Sequence, residues 1–328
     1  MILPPELFII KSQDEADIEL FEYKQFQDEV IFETETEFHD VQVIKNEVGL
    51  FLKFDETYQA GFIDHPLYQG NIPYINYFLL PYLLNRNIKK ILLIGMGTGK
   101  VINDFEKLIP DLKKIDIVDI DPFIPDLARK YFGFLQAPIT NIHIQDGRVF
   151  ARNTKEKYDL VIVDVAGNDG IPYRFMTQEF SFELREILTE KGIVIANMFG
   201  SELINSEKNV IPACLYKTYK SVFREVSFFR CDYSDYLFYK TFYDKDYKLM
   251  DITNILFVAS NSINASSINN LTDADKEKFN NIGIKNLELY TKDLHTEAIQ
   301  TENFKILKDC YQEDSEFTIE NFKNYVKT

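Results

Sequence analysis

Four short groups of residues in this chain have types and spacings that could do chemistry. Gly95-Met96-Gly97-Thr98-Gly99 is a glycine turn, Asp119 and Asp121 lie in IDIVDIDP, Asp146-Gly147 lies in HIQDG, and Asp164 ends YDLVIVD. Glycines let a turn adopt positive φ and let backbone approach a ligand closely. A helix that starts behind such a turn offers free N–H groups to an anion or a polar group. An acid at the end of the following strand can accept both hydroxyls of a ribose. This is the chemistry of nucleotide binding. A tight turn before a helix, with an acid capping it, leaves the same local pattern, and each acid alone reads equally as a cap or turn residue.

The elements that must position these groups follow from the apolar pattern. Ile91 to Ile94 is an unbroken apolar run, which suits a parallel strand buried on both faces. Val101, Ile102, Phe105 and Leu108 then fall at helical spacing. A second strand, Ile115 to Ile120, carries Asp119 and Asp121 at its carboxyl end. The pattern predicts a helix over 125–132, a third strand over 139–144 ending at Asp146-Gly147, a short helix at 150–154, and a fourth strand over 158–163 ending at Asp164. Residues 165–176 read as a loop, 180–188 as a helix, 192–197 as a fifth strand and 207–223 as a helix. Aromatic-rich strand material is predicted to run through Phe242, with a late strand over 254–260. Residues 261–280 read as a surface loop running into a short helix. Strands alternating with helices predict a right-handed, mostly parallel α/β sheet of the Rossmann-like type. Ligands of such sheets sit beyond the carboxyl ends of the strands, where Asp119, Asp146 and Asp164 all fall.

The N-terminal part reads differently. From Asp17 to about Ala60, segments rich in Val, Ile and Phe are broken at Lys45-Asn46-Glu47 and Asp55-Glu56, the pattern of antiparallel strands. We expect a small N-terminal antiparallel β domain over 1–70 and an adenosyl-binding domain over 71–328. Tyr74 to Leu84 reads as an apolar helix that Pro81 kinks or shortens.

Composition narrows the function classes. The 36 Lys and Arg against 52 Asp and Glu give a net charge of −16, which argues against nucleic-acid phosphate as a partner. The three cysteines form no CxxC pair and the four histidines are far apart, so neither a disulfide framework nor a metal site is expected. No basic region precedes a long apolar stretch at the N-terminus, and Tyr77 to Leu84 is too short to span a bilayer. A cytoplasmic protein without a membrane partner is expected.

The glycine spacing discriminates between ligands. A dinucleotide fingerprint G-x-G-x-x-G needs glycine at position 100, where Lys100 stands. G-x-G-x-G is the pattern of S-adenosylmethionine-type domains, which ranks an adenosyl sulfonium above a nicotinamide. With ILLIGMGTG, IDIVDIDP, HIQDGRVF and EKYDLVIVD in this order, the chain resembles the spermidine synthase (polyamine aminopropyltransferase) family over roughly residues 25 to 312. The resemblance implies a β domain followed by a Rossmann-like methyltransferase fold. It also implies an aminopropyl transfer from decarboxylated S-adenosylmethionine to a small polyamine such as putrescine, with no tightly bound cofactor and at least a homodimer. Asp119 matches the acid that holds the ribose, Asp146-Gly147 the pair at the adenine edge, and Asp164 the acid at the reacting amine. Gly95, Gly97, Thr98 and Gly99 match the loop at the donor. Upstream, FDETYQAGFIDHPLY places Gln59 on a nucleoside-contacting Gln, Asp64 on an acid and Tyr68 on the active-site Tyr. LELYTKDLHTEAI resembles a Tyr…His stretch near the end.

This sequence also departs from the family pattern. The loop of the family is typically Gly-Gly-Gly-Asp-Gly, whose Asp helps hold the donor's amine end, and here that position is Thr98. The His and Glu expected after Tyr68 are Gln69 and Gly70. The loop after Asp164 is one residue longer, with Asp169 as the stand-in for a second Asp. The nucleoside half of the site therefore matches better than the amine half. Two further readings follow: an S-adenosylmethionine-dependent methyltransferase, and a non-catalytic adenosyl-binding relative.

Overall fold

The computed structural model describes residues 27–55, 57–165, 171–200, 210–243 and 253–311. The first sheet is an antiparallel meander of β1 (Glu29–Glu35), β2 (Asp40–Lys45), β3 (Gly49–Phe54), β4 (Thr57–His65) and β5 (Tyr68–Asn71). Val41, Val43 and Leu52 are buried on one face of it and Ile44, Phe51 and Ile63 on the other. Successive strand residues point to opposite faces, so this part of the sheet is covered on both sides. Two strands exceed the sequence reading. The segment carrying Gln59, Asp64 and Tyr68 is the β4–β5 hairpin, with Asp64 opposite Gln69 and His65 opposite Tyr68.

Pro73–Leu79 is a buried 3₁₀ stretch, followed by α1 (Pro81–Leu84). The expected apolar helix is thus cut short at Pro81. Proline lacks the N–H that would continue the ladder and is tolerated at a helix start.

The second sheet is formed by β6 (Lys90–Ile94), β7 (Lys114–Asp119), β8 (Thr140–Ile144), β9 (Tyr158–Val163), β10 (Leu188–Gly200), β11 (Glu225–Phe229), β12 (Thr253–Ser260) and β13 (Leu294–His295). Their order is β13-β11-β12-β10-β9-β6-β7-β8. β8, β7, β6, β9 and β10 run parallel. β12 lies antiparallel between β10 and β11. The other described α-helices are α2 (Lys100–Leu108), α3 (Ile124–Tyr131), α4 (Gly147–Asn153), α5 (Gln178–Glu186), α6 (Val210–Lys220), α7 (Asp232–Tyr243), α8 (Asp273–Asn281) and α9 (Leu287–Lys292). This is the Rossmann-like, mostly parallel arrangement that the alternating pattern implies.

One expectation fails. Strand material ends at Phe229, and residues 232–243 form α7. Tyr233, Leu237 and Phe238 pack against the core as one helical stripe, and the ring of Tyr233 meets Tyr290 edge-on at 4.9 Å. A run dense in aromatics suits either element by composition; packing against the 73–79 stretch and α9 selects the helix.

A single apolar cluster runs from Val41, Phe51 and Ile63 of the first sheet through Tyr77 and Phe78 to Ile91 and Ile162 of the second. The 73–79 stretch is the wedge that joins the two sheets.

Candidate functional site

A cavity of about 240 Å³ lies beyond the carboxyl ends of the parallel strands. There the chain order reverses between β6 and β9, the switch point where open α/β sheets bind ligands. Its walls are the glycine turn, Asp119, Ile120, Asp121, Gly147, Asp164 and Asn197. Phe54, Gln59 and Ala60 of the first sheet, His39 of the β1–β2 connection, and Tyr74, Ile75 and Phe78 of the wedge close the other side.

The half of the cavity at the glycine turn is built from backbone. Gly95 has φ +90°, and a Cβ there would collide with the carbonyl oxygen of Asp164. Only glycine lets β6 and β9 end this close together. The Gly95 N–H donates to Val118 O and the Asp164 N–H to Ile94 O, at 2.8 and 2.9 Å. Asp119 ends β7, with one carboxylate oxygen accepting from the Met96 N–H at 2.8 Å and the other from the Asp121 N–H at 3.0 Å. Burial raises its pKa above the ordinary carboxylate value. The carboxylate is thus aimed by the turn it faces, with lone pairs left over for a ligand's donors. Gly147 lines the cavity, and a Cβ there would collide with Cγ2 of Ile94.

The other half is built from side chains. Asp164 follows β9, and its Oδ2 accepts from the Tyr74 hydroxyl at 3.2 Å and its Oδ1 from Asn197 Nδ2 at 3.0 Å. Burial raises its pKa too. Tyr74 is 3 % exposed, and burial first, then the Asp164 charge, push its pKa well up, so it remains a neutral donor. A carboxylate with an elevated pKa, open to a cavity and held by two donors, is suited to hold a cation and to take up a proton.

Gly95, Gly97, Thr98, Gly99, Asp119, Gly147, Asp164 and Gln59 all line the cavity. Gln59 Nε2 donates to Thr57 Oγ1 at 2.8 Å. Three expected residues do not belong to its walls. Tyr68 is half-buried against the core, its hydroxyl donating to Asn71 O at 2.8 Å and accepting from Asn76 Nδ2 at 2.9 Å. Asp64 is exposed and accepts from Gln69 Nε2. Both sit toward the turn of the β4–β5 hairpin, while its other end, at Gln59 and Ala60, lines the crevice. Asp146 stands next to the wall, but its carboxylate caps α4 through the Arg148 and Val149 N–H groups and pairs with Arg174. Asp169 lies outside the described residues.

The structure adds Tyr74, Asn197, Arg174 and His39 to the walls, where Asp121 of IDIVDIDP also stands. Asn197 had a signal: it is a polar residue ending the apolar run GIVIAN, at the same strand end as the acids. Tyr74 had none, because its segment reads as core, and it is core on every side but one. Lys100 also lines the cavity, with its ammonium 3.9 Å over the Phe62 ring and its pKa lowered by burial. Among the described residues no group of His, Cys, Asp and Glu could hold a metal ion, and no helix is long and apolar enough to cross a membrane.

Residues 78–260 match the family model of the spermine/spermidine synthase domain. A polyamine aminopropyltransferase of Vibrio vulnificus is 33 % identical over 156 residues, covering 47 % of this chain and 50 % of that protein. One of Alkaliphilus metalliredigens is 30 % identical over 172 residues, 51 % of this chain and 58 % of the other. The match spans about half the length of these curated relatives. Among solved structures, a spermidine synthase in complex with the transition state analogue AdoDATO superposes with a TM-score of 0.63 at 20 % identity, covering 80 % of this chain and 84 % of that one. The spermidine synthase of Thermotoga maritima gives 0.60 at 19 %, covering 83 % and 84 %. These likenesses show the fold. With more than half of the chain matched by the family model, the chain belongs to the spermine/spermidine synthase domain family.

Proposed function

We infer that this protein moves an aminopropyl group from decarboxylated S-adenosylmethionine to a small polyamine such as putrescine. The observation that carries this reading is Asp164, with an elevated pKa and held by Tyr74 and Asn197, opening into the same cavity as the glycine turn and Asp119. Family membership and the names of the curated relatives support it. The resemblance further implies a homodimer in the cytoplasm.

In this reading the adenosine lies along Gly95–Gly99, its ribose on Asp119 and its base beside Gly147. Asp146 serves the base edge only if Arg174 gives way. Gln59 closes the pocket from the first sheet. The sulfonium is already a good leaving group, so the protein's task is to hold the nitrogen in line with the S–C bond. An alkyl ammonium has a pKa near 10 and cannot attack until deprotonated. Asp164 holds the entering cation and relays its proton to solvent, and Tyr74 fixes the carboxylate while it does so. Tyr74 takes the place that the sequence reading gave to Tyr68.

The test incubates the protein with putrescine and either decarboxylated or ordinary S-adenosylmethionine. Formation of methylthioadenosine and spermidine from the decarboxylated donor is expected. Thr98, buried where the family's loop carries an acid, favours the methyltransferase as the second reading. Transfer of a labelled methyl group from the ordinary donor would establish it in place of the first. Tight methylthioadenosine binding without turnover would leave the non-catalytic relative.

A further inference from the structure

Asn197 is 7 % exposed and lines the cavity beside Asp164. Its Nδ2 donates to Asp164 Oδ1 at 3.0 Å, and its Oδ1 is buried without a hydrogen-bond partner. The amide has one orientation here. Turned over, its oxygen would face a carboxylate oxygen, acceptor against acceptor. A buried acceptor left unpaired costs on the order of 1–3 kcal/mol, so the empty Oδ1 calls for a donor supplied by whatever occupies the cavity. The ladder puts it in place: Ala196 of β10 pairs with Val163 of β9, so the next residues on the two strands, Asn197 and Asp164, emerge side by side.

Resting on the reading above, we propose that Asn197 is a positioning and specificity-determining residue that restricts the acceptor to a primary amine. At the moment of attack the nitrogen is neutral and its lone pair points at the carbon bound to sulfur. A primary amine then has two N–H bonds left, one for an Asp164 oxygen and one for Asn197 Oδ1. The C–N bond forms as the C–S bond breaks, methylthioadenosine leaves as a neutral thioether, and the new ammonium yields one of its two protons to Asp164. A secondary amine has one N–H bond and leaves either Asp164 or Asn197 unpaired. Sites that hydrogen-bond a substrate group reject the analogue that lacks it. The product nitrogen is itself secondary, so the same nitrogen is not used twice and the product is unbranched.

The experiment compares putrescine with N,N′-dimethylputrescine, with decarboxylated S-adenosylmethionine as donor, in the wild type and in Asn197→Ala. The wild type should favour the primary diamine by about 100-fold in kcat/KM, the size expected when one buried acceptor is left unpaired. Asn197→Ala should lose about 10–100-fold with putrescine and much less with the dimethyl compound, so that discrimination collapses. Its affinity for methylthioadenosine, read by calorimetry, should stay within about twofold, since the nucleoside half is untouched. Equal use of both amines by the wild type would overturn the proposal without any variant. So would equal losses with both amines in Asn197→Ala, which mark a structural role, or a gain with the dimethyl compound alone, which marks exclusion by bulk. No transfer to either amine by the wild type would overturn the aminopropyltransferase reading, and this proposal with it.

Discussion

The two halves of the cavity are made in different ways. At the glycine turn, polar contacts run from backbone N–H groups to Asp119 and between strand ends. At Asp164 they run between side chains, from Tyr74, 90 positions away in sequence, and from Asn197, 33 positions away. A backbone-built half tolerates change in most side chains and fails when a glycine gains one. A side-chain-built half fails one hydroxyl or amide at a time, and its chemistry can drift while the fold stays.

Four substitutions separate the halves. Asp164→Asn should cut kcat about 1,000-fold, the range for loss of a general base, while calorimetry with methylthioadenosine finds affinity nearly unchanged. A comparable loss of affinity would mean that the halves are not independent. Gly95→Ala should do the reverse. Its Cβ meets the Asp164 carbonyl, and a strain of about 1–3 kcal/mol corresponds to a roughly 10–100-fold loss of methylthioadenosine affinity. Unchanged binding would show that the turn is not the nucleoside seat. Tyr74→Phe should lower kcat about tenfold with the melting point little changed, as loss of one hydrogen bond to a charged group does. Tyr68→Phe should keep kcat within about twofold but lose about 1–2 kcal/mol of stability, because its hydroxyl bonds lie in the core. The opposite ranking of these two tyrosines would restore Tyr68 to the site.

The smallest effect on activity is expected at Asp293, outside the cavity walls. Burial pushes its carboxyl up to about 6, and it accepts from the Tyr77 hydroxyl and the Tyr233 N–H. The folded chain therefore holds this proton more tightly than the unfolded one. The stability it confers is complete below about pH 4 and is lost as pH rises through about 6. An asparagine side chain at this position would keep an acceptor for both donors and cannot ionise, so Asp293→Asn should remove that fall in thermal stability and leave turnover alone. An unchanged pH slope would assign it elsewhere.

Much of the fold was legible because the central strands, at Ile91–Ile94 and Leu160–Val163, read as unbroken apolar runs, and the apolar strand segments alternate with helical ones. The seat of Asp164 followed from such a run, and that of Asp119 from the apolar stretch 115–120 that Asp116 interrupts. The aromatic stretch after Phe229 was illegible because its composition allows strand or helix, and only the neighbours at 73–79 and α9 choose. Tyr68 and Tyr74 stand six positions apart, on either side of Gln-Gly-Asn-Ile-Pro, and nothing local tells which hydroxyl turns to the crevice.

The sequence by itself therefore determined the sheet, the glycine turn and the carboxylates beyond its strands, because periodicity and φ preferences are local properties of the chain. The tertiary structure alone decided which tyrosine reaches Asp164, that Asp146 is taken by a helix cap and Arg174, and that Asn197 stands beside Asp164. Those are meetings of side chains from distant segments, and they exist only once the wedge at 73–79 has packed the first sheet against the second.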